Sequence, residues 1–410
     1  MTNARRRDRR VYLSSHPVLF ALLAATRRRP ALRIGGTVLV HDREAYRKAL
    51  TKVPLDRTAD GTTGGAAGSL AGRGALFDEH GEEHRDARRD TADRLGAAGV
   101  ARLRPIWTAL LADRLPALAA GEHLDLVPLS AEIAGATAAA LLKIDVDPMT
   151  LASAAQRAAA AAARAHLPGM ARRGAGRSAE AAAAQLLDLL ATPDRDAALA
   201  AMLAVAAINT TVAAIPRAVA WACDAGLWEH ASSPALAGEL LRVTAPTPLL
   251  PRVAAAGAEV GGCPVRPGDR MLLIARHAAG AHRTDPCPAH PAPAQTAQLV
   301  FGAGPHACPG ARLARTQMED VLAALAPYRP AVVRARADRR SALPGWRSLT
   351  IRATSPQPVR GSSAAARSIP RQRPREHPAV PDPLLRQRPH ERPTMPAAHA
   401  SDETGAGDAP

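Results

Sequence analysis

Residues 301–310 read FGAGPHACPG and place one cysteine, Cys308, in a glycine-rich loop two residues after His306. Pro309 suits the first position of a helix, which would make Cys308 the N-cap. A helix N-terminus and its exposed amide N–H groups lower a thiol's pKa and favour the thiolate. Gly302 and Gly304 let the chain turn tightly, and Gly310 leaves room for a flat ligand close to the backbone. A lone cysteine is ordinarily a small buried hydrophobe. This one is presented as a ligand. A thiolate suits a haem iron, onto which it pushes electron density in favour of O–O cleavage.

The elements around the loop are legible in the pattern. ARLARTQMEDVLAALA follows it with helical periodicity. Residues 197–225 form a long apolar stretch interrupted in pattern by Asn209, Thr210, Thr211 and Pro216. ALRI (31–34) and TVLV (37–40) flank Gly35-Gly36 and read as a β-hairpin. Asp42 caps a helix through REAYRKAL. Residues 58–75 read as a loop, 82–118 as helix with a break near Gly96–Gly99, and 131–143 as a further apolar helix. The alanine-rich stretch 151–191 divides at Leu167-Pro168-Gly169 into two helices. Past Pro246, turns and short β-runs alternate as far as 300, and a last β-like segment is SLTIRAT (348–354).

Aromatic residues are only 2% of the 410 residues, so the core must come from Leu, Val and Ala, which favours helix. The net charge is +16 and nearly all arginine, with blocks at Arg5–Arg10 and Arg27–Arg29. The first block reads as a solvated basic arm. Nucleic acid is excluded as a partner, because no binding fold or stacking aromatics accompany the charge. The four cysteines, Cys223, Cys263, Cys287 and Cys308, show no zinc spacing and fit reduced, cytoplasmic thiols. HPVLFALLAA is too short to span a bilayer and leads into arginines, so it reads as the first amphipathic helix of the fold. Residues 355–410 are rich in Pro, Arg, Ser and Ala and read as a disordered tail after a domain at 1–354.

FGAGPHACPG resembles the haem-binding loop of the cytochrome P450 family, F-G-x-G-x-H-x-C-x-G, at all six fixed positions. The likeness extends across roughly residues 15–354. Upstream, Glu239-Leu240-Leu241-Arg242 is similar to the family's E-x-x-R, a structural pair that faces one side of a helix. HGEEHRDARR offers His84 and Arg88 at the family's H-x-x-x-R spacing, and Arg252 in PLLPRVA matches a further arginine. With His306, these would hold the haem propionates, since buried carboxylates need cations. Phe301, Gly302 and Gly310 would shape the haem loop. Ala206–Thr211 stands where the family has A-G-x-D/E-T-T, so Thr210 would hydrogen-bond the oxygen under activation. On residue type alone, Thr210 could instead back-bond to its own helix.

The sequence also departs from the family. Asn209 replaces the acid, and an amide cannot deliver a proton as a carboxyl can. Ala207 replaces a glycine. In DPCPAHPAPA (285–294), Asp285 and Pro286 match the family's meander, but Ala289 replaces Phe and Pro293 replaces Arg. The third member of the Glu–Arg–Arg network is therefore missing.

The resemblance implies a mainly α cytochrome P450 fold with a small β region, haem b (iron protoporphyrin IX) on Cys308, and a monooxygenase acting on a small-molecule substrate. Asn209 would orient water. NAD(P)H-derived electrons would come through a ferredoxin and ferredoxin reductase, docking near Arg312 and Arg315. By analogy the chain is a cytoplasmic monomer of secondary metabolism with no membrane partner. The alternatives are a peroxide-driven or non-oxidative haem enzyme, or a non-catalytic haem-binding protein.

Overall fold

The basic N-terminus is where the fold first departs from the sequence. The chain from Asn3 to Ser15 is helix α1, capped by the Thr2 hydroxyl, which accepts from the Arg5 N–H. The solvated arm expected there does not form, because α1 has an inward face. Ala4, Asp8, Val11, Tyr12 and Ser15 are buried at three- and four-residue spacing. Asp8 meets Arg217 at 2.6 Å and Arg276 at 3.0 Å. Both guanidinium groups also lie over the Tyr12 ring, at 4.5 and 3.9 Å. On the outer side Arg5 pairs with Asp285 and Arg7 with Asp224, at 2.6 and 2.5 Å. The apolar run read as the first helix is thus the second, α2 (Pro17–Thr26), with Leu23 buried and Val18 and Leu22 exposed.

A computed structural model describes residues 2–62, 64–65, 68, 91, 93–166, 175–191 and 197–354. They fall within one compact unit, Met1–Val359. The expected propionate contacts His84 and Arg88, the division at 167–169, most of the loop at 58–75 and the tail from 355 lie outside the described residues.

The hairpin forms as expected from β1 (Ala31–Ile34) and β2 (Thr37–Val40), with Gly35 at φ +57°. Asp42 caps α3 (Arg43–Thr51) by accepting from the Glu44 and Ala45 N–H groups. With β3 (Leu55–Asp56), β5 (Leu250–Ala254) and β8 (Arg270–Leu273) the hairpin makes a five-stranded sheet in the order β1-β2-β8-β5-β3. A three-stranded sheet runs β4 (Leu124–Asp125), β10 (Trp346–Arg352), β9 (Ala331–Ala337), and β6 (Ala258–Val260) pairs with β7 (Cys263–Val265).

The rest of the described core is helical: α4 (Ala97–Arg114), α5 (Leu126–Leu142), α6 (Pro148–His166), α7 (Ala175–Leu190), α8 (Ala197–Ala225), α9 (Pro234–Thr244) and α10 (Ala311–Leu325). The break expected near Gly96–Gly99 is the start of α4, whose N-cap is Gly96. Alanine on facing helices lets α5, α6 and α8 approach closely, through Ala134, Ala138, Ala155, Ala158, Ala201 and Ala204. Gly135 is required there, since a Cβ would stand 2.0 Å from the Pro148 carbonyl oxygen.

Helix α8 is long and apolar enough to cross a membrane, with a mean hydropathy of 2.0. Its C-terminal half, Ala213–Ala222, is buried continuously, in contact with α5, α9 and α10 among others. Its middle differs. Leu203, Ala206, Ala207, Thr210 and Thr211 are all half-exposed and share one helical face.

Candidate functional site

Two short 3-10 turns, Gln298–Phe301 and Gly304–His306, fold the cysteine loop. Gly302 and Gly304 take φ +80° and +72°, which side chains resist. The Cys308 N–H donates to the Phe301 carbonyl at 2.7 Å and closes the loop on itself. The loop rests on the end of α3, where a Cβ on Gly304 would crowd Thr51 Cγ2 at 3.1 Å.

One expectation needs correction. Helix α10 begins at Ala311, and its N-cap is Gly310, whose carbonyl accepts from the Ala314 N–H at 2.9 Å. Pro309 belongs to the turn before it. Cys308 therefore precedes the cap by two residues and keeps an exposed side chain near the positive end of α10. Gly310 has φ −83°, a backbone conformation open to any residue. A Cβ there would stand 3.8 Å from Cys308 Sγ, in ordinary van der Waals contact.

Arg315, one turn along α10, turns inward. Its guanidinium carbon lies 4.7 Å from the centre of the half-buried Phe301 ring, and Nη2 donates to Gln298 Oε1 at 2.5 Å. Burial pushes this guanidinium down, and the charges of Glu319 and the Cys308 thiolate counter it. Arg315 is thus half-buried within electrostatic reach of Cys308, whereas Arg312 is exposed.

Arg252 lies on β5, in a register that sequence inspection could not supply. Strand β3 pairs with β5 as Leu55↔Ala254 and Asp56↔Val253. Arg57 follows directly after β3, within electrostatic reach of Arg252. Burial, then the charge of Arg252, lowers Arg57 to about 10. Burial also lowers Arg252, with the Tyr46 phenol opposing. Tyr46 is buried on α3 and donates to the Leu299 carbonyl at 3.2 Å, which ties this cation pair to the start of the cysteine loop. Arg57 was missed because its only signal in the sequence is one basic residue in a polar turn.

Asn209 and Thr210 lie at the middle of α8, which packs against α10. The Thr210 hydroxyl donates to the Ala206 carbonyl at 2.8 Å. Its hydrogen serves the helix while its oxygen can still accept. Asn209 Nδ2 donates to the Val205 carbonyl at 2.8 Å and to the Ala155 carbonyl of α6 at 3.4 Å.

Glu239 and Arg242 form a buried bidentate pair, both contacts 2.7 Å. The arginine expected at Pro293 is absent, and two backbone amides take its place. Cys287 N–H and Ala292 N–H each donate to the Glu239 carboxylate at 3.1 Å. Burial would push Glu239 up, but the Arg242 hydrogen bonds and charge, with those amides, hold it below its ordinary value. Arg242 also donates to the carbonyls of Ala279 and Asp285, both at 3.3 Å. The pair thus pins the meander before the ligand loop.

The residues present fit a haem. They offer one soft sulfur ligand, a glycine at 310 where a Cβ would meet only Cys308 Sγ within 4 Å, and two half-buried cations suited to carboxylates. His306 is half-buried in the same loop. Among the described residues no group of three or more metal-ligating side chains gathers anywhere, so a protein-only metal centre is not an alternative there.

Residues 234–326 match the family model of cytochrome P450. No curated protein matches the chain by sequence. The fold is similar to an epothilone B-bound cytochrome P450epoK at a TM-score of 0.68 and 17% identity, covering 83% of this chain and 97% of that one. It is similar to CYP109E1 from Bacillus megaterium in complex with testosterone, TM-score 0.66, 16% identity, covering 84% and 100%. P450BioI in complex with an acyl carrier protein ligated to hexadec-9Z-enoic acid gives TM-score 0.66 and 17% identity, covering 83% and 99%.

Proposed function

We propose that the chain is a divergent member of the cytochrome P450 family, a reading supported by its fold and by the family segment over residues 234–326, and that it is a haem-thiolate monooxygenase. The reaction would be insertion of one oxygen atom from O2 into a C–H or C=C bond of a small organic molecule, the other leaving as water with two electrons from NAD(P)H and two protons. The observation that carries the reading is the Cys308 loop, which presents an exposed thiol beside an empty Cβ position at Gly310.

Cys308 Sγ would hold the haem iron. Arg57, Arg252 and His306 would hold the propionates, joined by His84 and Arg88. Bound there, haem supplies reductive O2 activation and oxygen transfer. The chain's own residues supply position and protons. Phe301, stacked under Arg315, would shape the loop through its carbonyl, which accepts from the Cys308 N–H. Arg315 offsets the negative charge of Sγ. Thr210 Oγ1 accepts from water in the site while its hydrogen rests on the Ala206 carbonyl, and rotation about χ1 would release that hydrogen inward.

The substrate is apolar in this reading, because α8 offers Leu203, Ala206 and Ala207 beside two hydroxyls. The similar structures hold epothilone B, testosterone and a carrier-bound fatty acid. Electrons arrive through a ferredoxin and its reductase, with exposed Arg312 as a docking charge. The compartment is the cytoplasm, which keeps thiols reduced.

The test is the spectrum of reduced, CO-treated protein. A strongly red-shifted Soret band is expected, and it should vanish in Cys308→Ala. If the purified protein takes up no haem, or the band survives that substitution, the reading fails.

Asn209 favours a second reading. Its amide N–H groups are committed to the Val205 and Ala155 carbonyls, and no carboxyl stands in its place. A peroxide-driven reaction brings its own protons and needs no relay. Turnover with H2O2 but not with NAD(P)H, ferredoxin and reductase would select it.

A further inference from the structure

A groove of about 560 Å³ opens between α1 and the β9–β10 hairpin, lined by Arg10 and Ser14 of α1, residues 335–340, and Arg347 of β10. None of its lining residues belongs to the cysteine loop, the middle of α8 or the Arg57–Arg252 pair. Five arginines face it: Arg10, Arg336, Arg339, Arg340 and Arg347. One carboxylate, Asp338, joins them, and its Oδ1 accepts from the Arg340 N–H at 2.7 Å.

The five arginines stand apart from the others nearby. Arg5, Arg7, Arg33, Arg104 and Arg114 each pair with a carboxylate of the fold at 2.5–2.7 Å. Among the described ion pairs, none includes a groove arginine. A solvated face would let such side chains spread, but here three separate segments bring them to one concavity. Backbone anchors hold that shape. Arg164 Nη1 donates to the Arg340 carbonyl at 3.1 Å, and the Ser341 hydroxyl to the Leu343 carbonyl at 2.7 Å. Arg217 Nη1 donates to the Pro344 carbonyl at 3.3 Å. The like charges repel at this range, and an anion seated among them would offset the repulsion.

The geometry points to a binding site for an oligophosphate, recognised through its phosphate chain. Guanidinium forks match phosphate oxygens two at a time. The apolar lining is only Ala335 and Ala337, with no aromatic ring, so nothing in the groove would stack on a base. Its volume is that of a small-molecule site. An acidic protein would seek a broad face, which a narrow concavity does not supply.

The site bears on α8. Besides the Arg217–Pro344 bond, Gly345 packs against α8, where a Cβ would stand 3.8 Å from Ala213 Cα, one turn past Thr210.

The experiment is calorimetric titration of the full-length protein with sodium triphosphate at about 0.1 M salt, where surface charges are screened beyond about 10 Å. Saturable binding to one site is expected, with ATP binding comparably. The double variant Arg336→Gln/Arg347→Gln should weaken binding by about tenfold or more through loss of two charge-assisted forks. These residues are exposed, so its melting temperature should be unchanged. Absence of saturable heat overturns the proposal. So does equal affinity in the variant, which places the anion on other arginines. Tighter binding of poly-glutamate than of triphosphate would assign the groove to an acidic protein instead.

Discussion

Arg57, the residue after β3, lies within electrostatic reach of Arg252 on β5, next to the pairs Leu55↔Ala254 and Asp56↔Val253. Like charges brought together in this way destabilise the fold, and burial lowers both. An anionic cofactor reverses the sign. Arg57→Gln should therefore raise the melting temperature of haem-free protein while weakening haem retention. Differential scanning calorimetry of the two forms measures both changes, and a variant that loses stability in each would contradict the assignment.

The Glu239–Arg242 pair is the opposite case, a buried ion pair whose surplus acceptors are filled by the amides of Cys287 and Ala292. Glu239→Ala strands a guanidinium that is 1% exposed. The expected loss is about 3–5 kcal/mol by urea denaturation. Glu239→Gln keeps one acceptor oxygen and should lose less. Restoring the family residue with Pro293→Arg should bring little stability, because the amides already occupy the carboxylate.

Asn209 acts as a strut between α8 and α6 through the Ala155 carbonyl. Asn209→Asp replaces a donor with a carboxylate facing two carbonyl oxygens. The expected cost is about 1–3 kcal/mol from the unmet acceptors. A gain in turnover with NAD(P)H and redox partners, despite that cost, would show that proton supply limits the reaction. Loss of both stability and rate would leave Asn209 a structural residue.

Acid should unfold the protein through His41, His277 and His282. His41 Nδ1 lies 2.8 Å from His277 Nδ1, so only one of them can carry the shared proton. Burial lowers all three from 6.5, His41 and His282 to about 4 and His277 to about 2. Arg27, Arg276 and Arg283 add to the effect around His277 and His282. The unfolded chain then takes up protons first as pH falls below 6.5, and stability is lost from there toward about 4. Urea midpoints measured from pH 7.5 to 4.5 should fall steadily, and less steeply in His277→Gln.

What the sequence determined alone is the local part. The glycines at 302 and 304, the capping Asp42, the span of α8 and the Glu239–Arg242 spacing all depend on residues a few positions apart. Backbone sterics and helix periodicity decide them directly. The turns around Cys308 were legible for the same reason, as one short loop holds them all. Even there, the cap fell two residues later than Pro309 suggested, because the turn at Pro309–Gly310 precedes the first helical hydrogen bond. The tertiary structure decided whatever depends on partners far along the chain. Only packing turned the Arg5–Arg10 block into a helix seated on Asp8, more than two hundred residues from Arg217. Only the pairing of β3 with β5 brought Arg57 within electrostatic reach of Arg252. Only the path of the meander revealed that backbone amides replace the missing arginine at Glu239. Charge takes its meaning from its neighbours in space, and a sequence lists only its neighbours along the chain.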